Sequence, residues 1–432
     1  MSPTFRALSN SNYRLYAAGG VVSNTGTWMQ RVAQDWLVLQ LTANNGTALG
    51  ITTGLQFLPI LLLSPYAGLV ADRFPKRRLL QVTQLMMAGP ALLLGALAVT
   101  GLVETWHVYA LAFVFGVGTA FDGPARQSFV SEMVGPEDLT NAVGLNSASF
   151  NAARLVGPAV AGVAIAALGG GVMATGWVIL ANGLSYGAVV LALQRMDAKL
   201  LDSPEPQARQ KGMIRDGFRY VRSRPDLMMI LAIVFFAGTF GLNFQMTSAL
   251  MATEVFHKGA SEYGVLGSIM AIGSLSGALL AARRGQPRHR LVILAAVGFG
   301  AAEVVAGLLP TYLVFAVWLP VLGLSALTMI TAANATMQLS VAPELRGRVM
   351  ALYMMIFMGG TPLGAPIVGW VGETFGARWT LIGGGGVTIV GTLLAVIVFS
   401  RTQGLITPQA RREVRDRVSA TGRSMLSRAL AH

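Results

Sequence analysis

The stretch Gly68-Leu-Val-Ala-Asp72-Arg73-Phe-Pro-Lys76-Arg77-Arg78 lies between two long apolar runs. Five of the seven residues from Asp72 to Arg78 are charged. A charge cluster of that density cannot lie in hydrocarbon, because no water is present there to solvate it. We therefore interpret the stretch as a tight cytoplasmic turn that joins two membrane-spanning helices.

The composition agrees with a chain that is solvated mainly by lipid. Of the 432 residues, 53% are hydrophobic and 12% are charged, whereas soluble domains carry about 25% charged residues. The apolar runs do not alternate, and each is long enough for a spanning helix, which needs about 20 residues. The sequence predicts an all-α membrane protein with twelve transmembrane helices, at 13–41, 48–71, 79–100, 106–127, 139–168, 172–194, 226–252, 262–283, 290–309, 312–336, 346–371 and 378–400.

The distribution of basic residues predicts the orientation. The loops on one side of the predicted spans hold most of the lysines and arginines, whereas those on the other side hold only Lys258 and Arg378. Cytoplasmic loops are enriched in basic residues, so we expect both termini in the cytoplasm of a bacterial cell, with the helices in its inner (plasma) membrane. The formal charge of +13 then reflects loops that face anionic lipid, and we expect no nucleic-acid partner.

The predicted domain organisation is two six-helix bundles, 1–194 and 226–400. A cytoplasmic linker at 195–225 separates them, and a basic cytoplasmic tail follows at 401–432. In the linker, Ile214, Phe218 and Val221 share one helical face, which predicts a helix lying along the membrane interface.

An internal repeat supports the division into two like-oriented, pseudo-symmetric bundles. Seven residues around the fifth predicted span recur 207 positions later, around the eleventh. Residues Val134, Pro136, Glu137, Leu145, Phe150, Gly157 and Gly162 match Val341, Pro343, Glu344, Leu352, Phe357, Gly364 and Gly369.

The sequence offers little for catalysis or for a cofactor. Cysteine is absent, which excludes disulfides and thiolate metal sites, and the four histidines lack metal-ligand spacing. No nucleotide-binding loop or nucleophile elbow is found in the sequence. We therefore expect no enzyme activity, no metal and no cofactor.

Four charged residues, Arg31, Asp35, Arg154 and Glu303, lie away from the ends of predicted spans, where charge is costly and commonly faces a cavity or a partner. Arg31 and Asp35 share one helical face at i,i+4 spacing, which suits either a structural pair or the handling of substrate and protons. Arg154 has no acidic neighbour in the sequence, which suits a wet cavity or a pairing across helices, and we favour a cavity or a gate. Glu303 lies in the ninth span, where a structural role is favoured over proton binding.

Polar side chains in other spans are further candidates for lining a central cavity. Each of them also suits an ordinary hydrogen bond between helices. The residues chosen as cavity candidates beside Arg31 and Arg154 are Asn146, Asn243 and Gln245.

The Gly68-x-x-x-Asp72-Arg73 pattern followed by Lys76-Arg77-Arg78 resembles the loop between the second and third spans of the major facilitator superfamily. In that superfamily an acid near Asp122 pairs with this loop and helps to close the cytoplasmic gate. The resemblance therefore implies an inner-gate charge network, which breaks when the cytoplasmic side opens. Its members here would be Gly68, Asp72, Arg73, Lys76, Arg77 and Asp122. This sequence has Pro75 where a glycine is usual in the superfamily.

A second motif, Gly157-Pro158-Ala-Val-Ala-Gly162, resembles the antiporter signature of drug-exporting major facilitators. Its glycines and proline also suit a generic bend at which helices pack closely. The segments Asn12–Arg14, Gln34–Thr42, Pro124–Gln127 and Asn141–Asn146 resemble a narrower branch of bacterial drug:proton antiporters, which includes macrolide efflux proteins and the enterobactin exporter. The resemblance covers residues 10–400.

This resemblance implies a monomeric secondary transporter that exports an amphipathic small molecule, such as a drug or a siderophore, in exchange for protons. The arginine motif that many drug antiporters carry in the fourth span is absent, so the resemblance does not identify the residue that binds the proton. Asp35 is our first choice and Glu303 our second. One alternative is an uncoupled facilitator or an importer of a metabolite on the same fold. A more remote alternative is a membrane scaffold that transports nothing.

Overall fold

The computed structural model describes residues 3–202, 213–283 and 289–402. Within these ranges no strand is found, and the chain forms twelve long helices that confirm the predicted all-α architecture. They are α1 (Ser11–Leu41), α2 (Gly46–Arg73), α3 (Lys76–Val99), α4 (Thr105–Met133), α5 (Pro136–Ala167), α6 (Val172–Arg195), α7 (Pro225–Val255), α8 (Ala260–Arg283), α9 (His289–Leu308), α10 (Tyr312–Leu339), α11 (Pro343–Phe375) and α12 (Ala377–Thr402).

Eleven of the described helices are long and apolar enough to cross a membrane. The exception is α1, whose 31 residues include many polar side chains as well as Arg31 and Asp35. Because α1 packs against α5 and α6, much of this polar surface is buried against protein instead of meeting lipid. The count of twelve spanning helices is consistent with this arrangement.

The helices form two groups of six. In the first group α3 packs against α6 and α2 against α4, and in the second α8 packs against α10 and α9 against α12. The two groups meet along two equivalent seams, α2 against α11 and α5 against α8. The repeat in the sequence matches these seams, because α5 and α11 are the helices that carry its two copies.

A short helix, Met213–Arg222, lies where the sequence predicts an amphipathic one. Val221 on this helix is buried, whereas Phe218 is exposed. The helix packs against α11 and the start of α7, so part of its apolar face meets protein. The rest of the predicted linker, 203–212, and the tail from residue 403 onward lie outside the described residues.

The ends of the bundle differ in how closely the two groups approach each other. We call the end with the α2–α3 turn the basic end, and the opposite end, with the α1–α2 turn, the distal end. At the distal end α2 and α11 touch through their backbones, since a Cβ on Gly50 would lie 2.3 Å from the carbonyl oxygen of Ala365. At the other seam the backbones of α5 and α8 are equally close, since a Cβ on Gly264 would lie 2.3 Å from the carbonyl oxygen of Pro158.

Toward the basic end the two groups part. A Cβ placed on Gly68, Gly144 or Gly347 would meet nothing within 4 Å. Large side chains in this half of α2 and α5, such as Tyr66 and Phe150, are exposed. Because the close backbone contacts between the two groups lie at the distal end, we infer that this end is closed and that a central cavity opens toward the basic end.

The seventh span is interrupted, in contrast to the continuous helix that the sequence predicts at 226–252. A π-helical segment covers Ala237–Gly241, and a second one covers Met251–Val255. The Asn243 side chain donates a hydrogen bond of 2.7 Å to the carbonyl oxygen of Thr239, which satisfies a backbone acceptor in the first π segment. The break places Gln245 at the start of a new helical segment, Phe244–Leu250.

Candidate substrate cavity

Two arginines from different helices lie on the same tryptophan near the middle of the bundle. The guanidinium carbon of Arg31 is 4.7 Å from the ring centroid of Trp28, one turn away on α1. The guanidinium carbon of Arg154, on α5, is 5.7 Å from the same centroid. Phe57 of α2 adds a second aromatic ring at 5.8 Å from Arg31. Contacts of this kind are favourable cation–π interactions.

Asp35 lies one turn further toward the distal end and is bound to the other half of the molecule. Its Oδ2 accepts a hydrogen bond of 2.7 Å from the Gln245 side chain on α7. The same oxygen accepts one of 2.8 Å from the Tyr263 hydroxyl on α8. Tyr263 also stacks on Trp36, with 6.4 Å between the ring centroids. We call Asp35, Gln245 and Tyr263 the distal latch, because these bonds hold the two halves together.

Further hydrogen bonds join the halves on either side of the latch. The Arg154 guanidinium donates to Ser274 on α8 at 3.4 Å. At the distal rim the Asn45 side chain donates to Glu373 on α11 at 2.7 Å. Any transition that opens the distal end must break these contacts.

The structure thus brings together Arg31, Asp35, Arg154 and Gln245 from the predicted set. Asn146 is half-buried on α5, about two turns from Arg154 toward the basic end. Asn243 is buried, and its side-chain amide donates a hydrogen bond to a backbone carbonyl of α7, that of Thr239. It therefore supports the break in α7.

Glu303 occupies a separate place within the second half. It lies on α9, is 1% exposed, and has no hydrogen-bond partner for its Oε2 among the described residues. The backbone of α7 lies very close to this carboxyl group, since a Cβ on Gly241 would lie 2.9 Å from Oε2. Glu303 is therefore packed between α9, α7 and α12.

The predicted inner-gate residues fall into separate groups in this conformation. Lys76 forms an ion pair with Glu132, and Arg77 donates to the carbonyl oxygens of Leu193 and Gln194 at the end of α6. Asp122 accepts a hydrogen bond of 2.8 Å from Arg126. It also accepts bonds from Thr83 and Gln84 on α3.

Asp72 and Arg73 are exposed at the α2–α3 turn, and Gly68 faces open space. Within the described ranges, the Asp122 carboxylate is bonded to Thr83, Gln84 and Arg126 and not to Asp72, Arg73 or Gly68. Since the basic end is open here, the full network stays a prediction for the state in which that end is closed.

The Gly157-Pro158 motif shapes the wall of the cavity. A Cβ on Gly157 would lie 2.6 Å from the Cβ of Trp28, so α5 approaches α1 closely beside the tryptophan near which both arginines lie. Pro158 and Gly162 face the backbone of α8. The motif therefore sets the position of Arg154 relative to both neighbouring helices.

Sequence reasoning missed three residues of the site: Tyr263, Ser274 and Phe57. The sequence shows each of them as an ordinary member of an apolar span. Their roles depend on the packing of α8 against α1 and α5, and of α2 against α1 within the first half.

Several known transporters are similar to this chain in sequence. The multidrug efflux pump Tap of Mycolicibacterium fortuitum is 28% identical over 381 residues, which is 85% of this chain and 90% of Tap. The staphyloferrin A transporter of Staphylococcus aureus is 25% identical over 81% of this chain and 87% of its own length. Macrolide efflux protein A of Streptococcus pyogenes is 24% identical over 86% of this chain and 92% of its own length.

Solved structures share the fold at lower identity. A bacterial homolog of the human lysosomal transporter Spinster superposes with a TM-score of 0.69 at 16% identity, over 90% of this chain and 97% of that chain. A mutant of the nucleoside transporter NupG superposes with a TM-score of 0.72 at 14% identity, over 90% of this chain and all of that chain (100%).

The sequence profile of a transporter family settles the affiliation. The profile described as transmembrane secretion effector matches residues 2–413, which is nearly the whole chain. The predicted resemblance, including that to macrolide efflux proteins, is thereby confirmed. This multi-pass membrane protein belongs to the transmembrane secretion effector family of the major facilitator superfamily.

Proposed function

We propose that this protein exports an amphipathic small molecule in exchange for protons, by alternating access of the central cavity to the two sides of the membrane. The observation that carries the proposal is Asp35, a carboxylate beside the cavity whose Oδ2 is bonded to Gln245 and Tyr263 of the opposite half. A proton that binds or leaves at this position changes the bonds that close the distal end. Substrate and proton movements can therefore be linked to the same conformational change.

The proposed direction of transport rests on the orientation together with the relatives. The positive-inside rule assigns the basic end to the cytoplasm of a bacterial cell, with both termini inside and the helices in the plasma membrane. The open cavity then receives substrate from the cytoplasm, and anionic lipids face the basic loops. The names of the relatives, which include a multidrug efflux pump, a macrolide efflux protein and a staphyloferrin transporter, support export of a drug-like or siderophore-like compound. We propose a monomer as the transporting unit.

The test uses purified protein in liposomes that are loaded with a pH-sensitive dye. Macrolides, cationic dyes and siderophores are added in turn under an imposed proton gradient. We expect proton movement that depends on one of these substrates in the wild-type protein and that is lost in Asp35→Asn. Asn keeps the size of the side chain but cannot release a proton.

Two comparisons make the result specific. Asp202→Asn removes an exposed acid at the basic end and should leave the coupled proton movement unchanged. Glu303→Gln tests the other candidate acid, and loss of coupling in that variant alone would move the proton site from Asp35 to the second half. Substrate flux with no proton movement in the wild-type protein would make it an uncoupled facilitator.

A further inference from the structure

The charge of the central cavity is unbalanced. Two guanidinium groups, Arg31 and Arg154, lie near Trp28, and the one carboxylate of this region is Asp35, whose Oδ2 already accepts two hydrogen bonds from neutral donors. Among the described residues, neither arginine forms an ion pair with an acid. These three groups therefore leave one net positive charge in the middle of the protein, and no other acidic side chain of the described part pairs with either arginine.

Both arginines keep donors available for a ligand. Each is half-buried, and each has Trp28 near its guanidinium group. Arg154 makes one long hydrogen bond, 3.4 Å to Ser274, and none from the Arg31 guanidinium is found within the described ranges. A guanidinium group has five N–H donors in a planar fork that matches a carboxylate.

Aromatic surfaces adjoin this cationic pair. Trp28 is half-buried, and Phe57 lies beside Arg31. Phe150 packs edge-to-face on Trp28, with 5.8 Å between the ring centroids, and is exposed. These rings offer a surface for an apolar or aromatic part of a ligand next to the unpaired charge.

We propose that Arg31 and Arg154, held on Trp28, bind the carboxylate of an amphipathic substrate, so that this transporter prefers anionic compounds to cationic ones. The inference rests on the proposed export function, because it names the substrate class of the same cavity. Carboxylate binding would remove the charge imbalance, since each guanidinium gains a charge-assisted hydrogen bond.

The proposal constrains how protons are coupled. A proton on Asp35 makes the cavity more positive, so an anionic substrate and a proton do not compete by charge at this site. Coupling must then run through the distal latch, where Asp35 bonds to Gln245 and Tyr263. An inside-negative membrane potential also favours the outward movement of an anion.

The experiment measures the binding of three fluorescent probes to the purified full-length protein in detergent micelles, by fluorescence anisotropy, with empty micelles as the blank. Fluorescein carries a carboxylate besides the phenolate of its xanthene ring, its methyl ester keeps only the phenolate, and rhodamine B ethyl ester is a cation, so the first two probes differ by the carboxylate alone. We expect fluorescein to bind about tenfold more tightly than its methyl ester, as the loss of a charge-assisted hydrogen bond requires. We expect rhodamine B ethyl ester to bind most weakly.

Variants test which residues produce this preference. Arg31→Gln and Arg154→Gln should each weaken fluorescein binding about tenfold and leave the methyl ester unchanged. Asp35→Asn should strengthen fluorescein binding and weaken that of the cation, an opposite pair of effects that a purely structural role would not produce. Arg14→Gln, an exposed arginine at the basic end, is the matched control and should change nothing.

The outcomes separate this inference from the proposed function. Equal or tighter binding of the ester or the cation to the wild-type protein would overturn the inference, and so would no measurable binding of fluorescein. If a glutamine variant fails to fold, the comparison of probes on the wild-type protein still decides. Because binding in micelles needs no gradient, a preference for fluorescein without proton coupling in liposomes would refute the export mechanism and leave the anion site standing.

Discussion

At the scale of single residues, the Tyr263 hydroxyl has the most clearly defined role after Asp35. It donates to Asp35 Oδ2 at 2.8 Å, while its ring stacks on Trp36. Tyr263→Phe removes the hydroxyl and keeps the ring. Loss of a hydrogen bond to a charged acceptor costs about 1.5–3 kcal/mol. We therefore expect the population with an open distal end to rise about tenfold or more.

Accessibility of a single cysteine measures this change, and the chain has no cysteine of its own. Ala260 is 4% exposed and lies where α8 meets α5 at the distal end, so Ala260→Cys should react with a maleimide only when that end opens. Tyr263→Phe should raise the reaction rate. Tyr312→Phe is the matched control, because its hydroxyl bonds to the Glu262 carbonyl within the same half. Equal rates in the two variants would show that the Tyr263 bond does not hold the distal end.

Part of the site could be predicted from residue spacing alone. Arg31 and Asp35 fall on one face of α1 because they are four residues apart, and a charged pair inside a span indicates a cavity. Tyr263 could not be found in this way. Its role depends on the approach of α8 to α1, which no local pattern in the sequence encodes.

At the scale of helices, the glycines at the two seams allow the distal end to close. Gly50→Ala would place a Cβ 2.3 Å from the backbone carbonyl oxygen of Ala365, which cannot rotate away. We expect α2 and α11 to separate at this point, at a cost of about 1–3 kcal/mol. The measurable results are a lower melting temperature of the purified protein and faster labelling of Ala260→Cys.

Gly89→Ala is the control for this prediction. Gly89 lies within α3, is exposed, and would place a Cβ in open space. Alanine is more favourable than glycine inside a helix by about 0.5–1 kcal/mol, so this variant should be at least as stable as the wild-type protein. Equal stability of both variants would contradict a close-packed seam at Gly50.

The positions of the helices could be predicted well, because the length of an apolar run and the charges that end it are local properties. The interruption of α7 could not. The segment Ala237–Gly241 reads as a continuous apolar helix in the sequence, and its π-helical form depends on packing against α11. There a Cβ on Gly364 would lie 1.7 Å from the carbonyl oxygen of Thr239.

At the scale of the whole molecule, the two halves are joined at the distal end and separate at the basic end. Transport requires the distal end to open and the basic end to close. A covalent link across the distal end should therefore trap the protein with its cavity open toward the basic end. The side chains of Asn45 and Glu373 suit such a link, because they meet at 2.7 Å across the rim. We expect Asn45→Cys combined with Glu373→Cys to react with a short bis-methanethiosulfonate crosslinker.

The crosslinked protein should lose transport in liposomes and keep its binding of cavity ligands in micelles, because the open side of the cavity is unaffected. Reduction of the crosslink should restore transport. The control pair is Gln40→Cys with Thr175→Cys, whose native side chains meet at 3.3 Å within the first half. Crosslinking this pair leaves the two halves free to move, so transport should continue. Undiminished transport with the Asn45–Glu373 pair linked would mean that the distal end need not open, and alternating access of this cavity would be refuted.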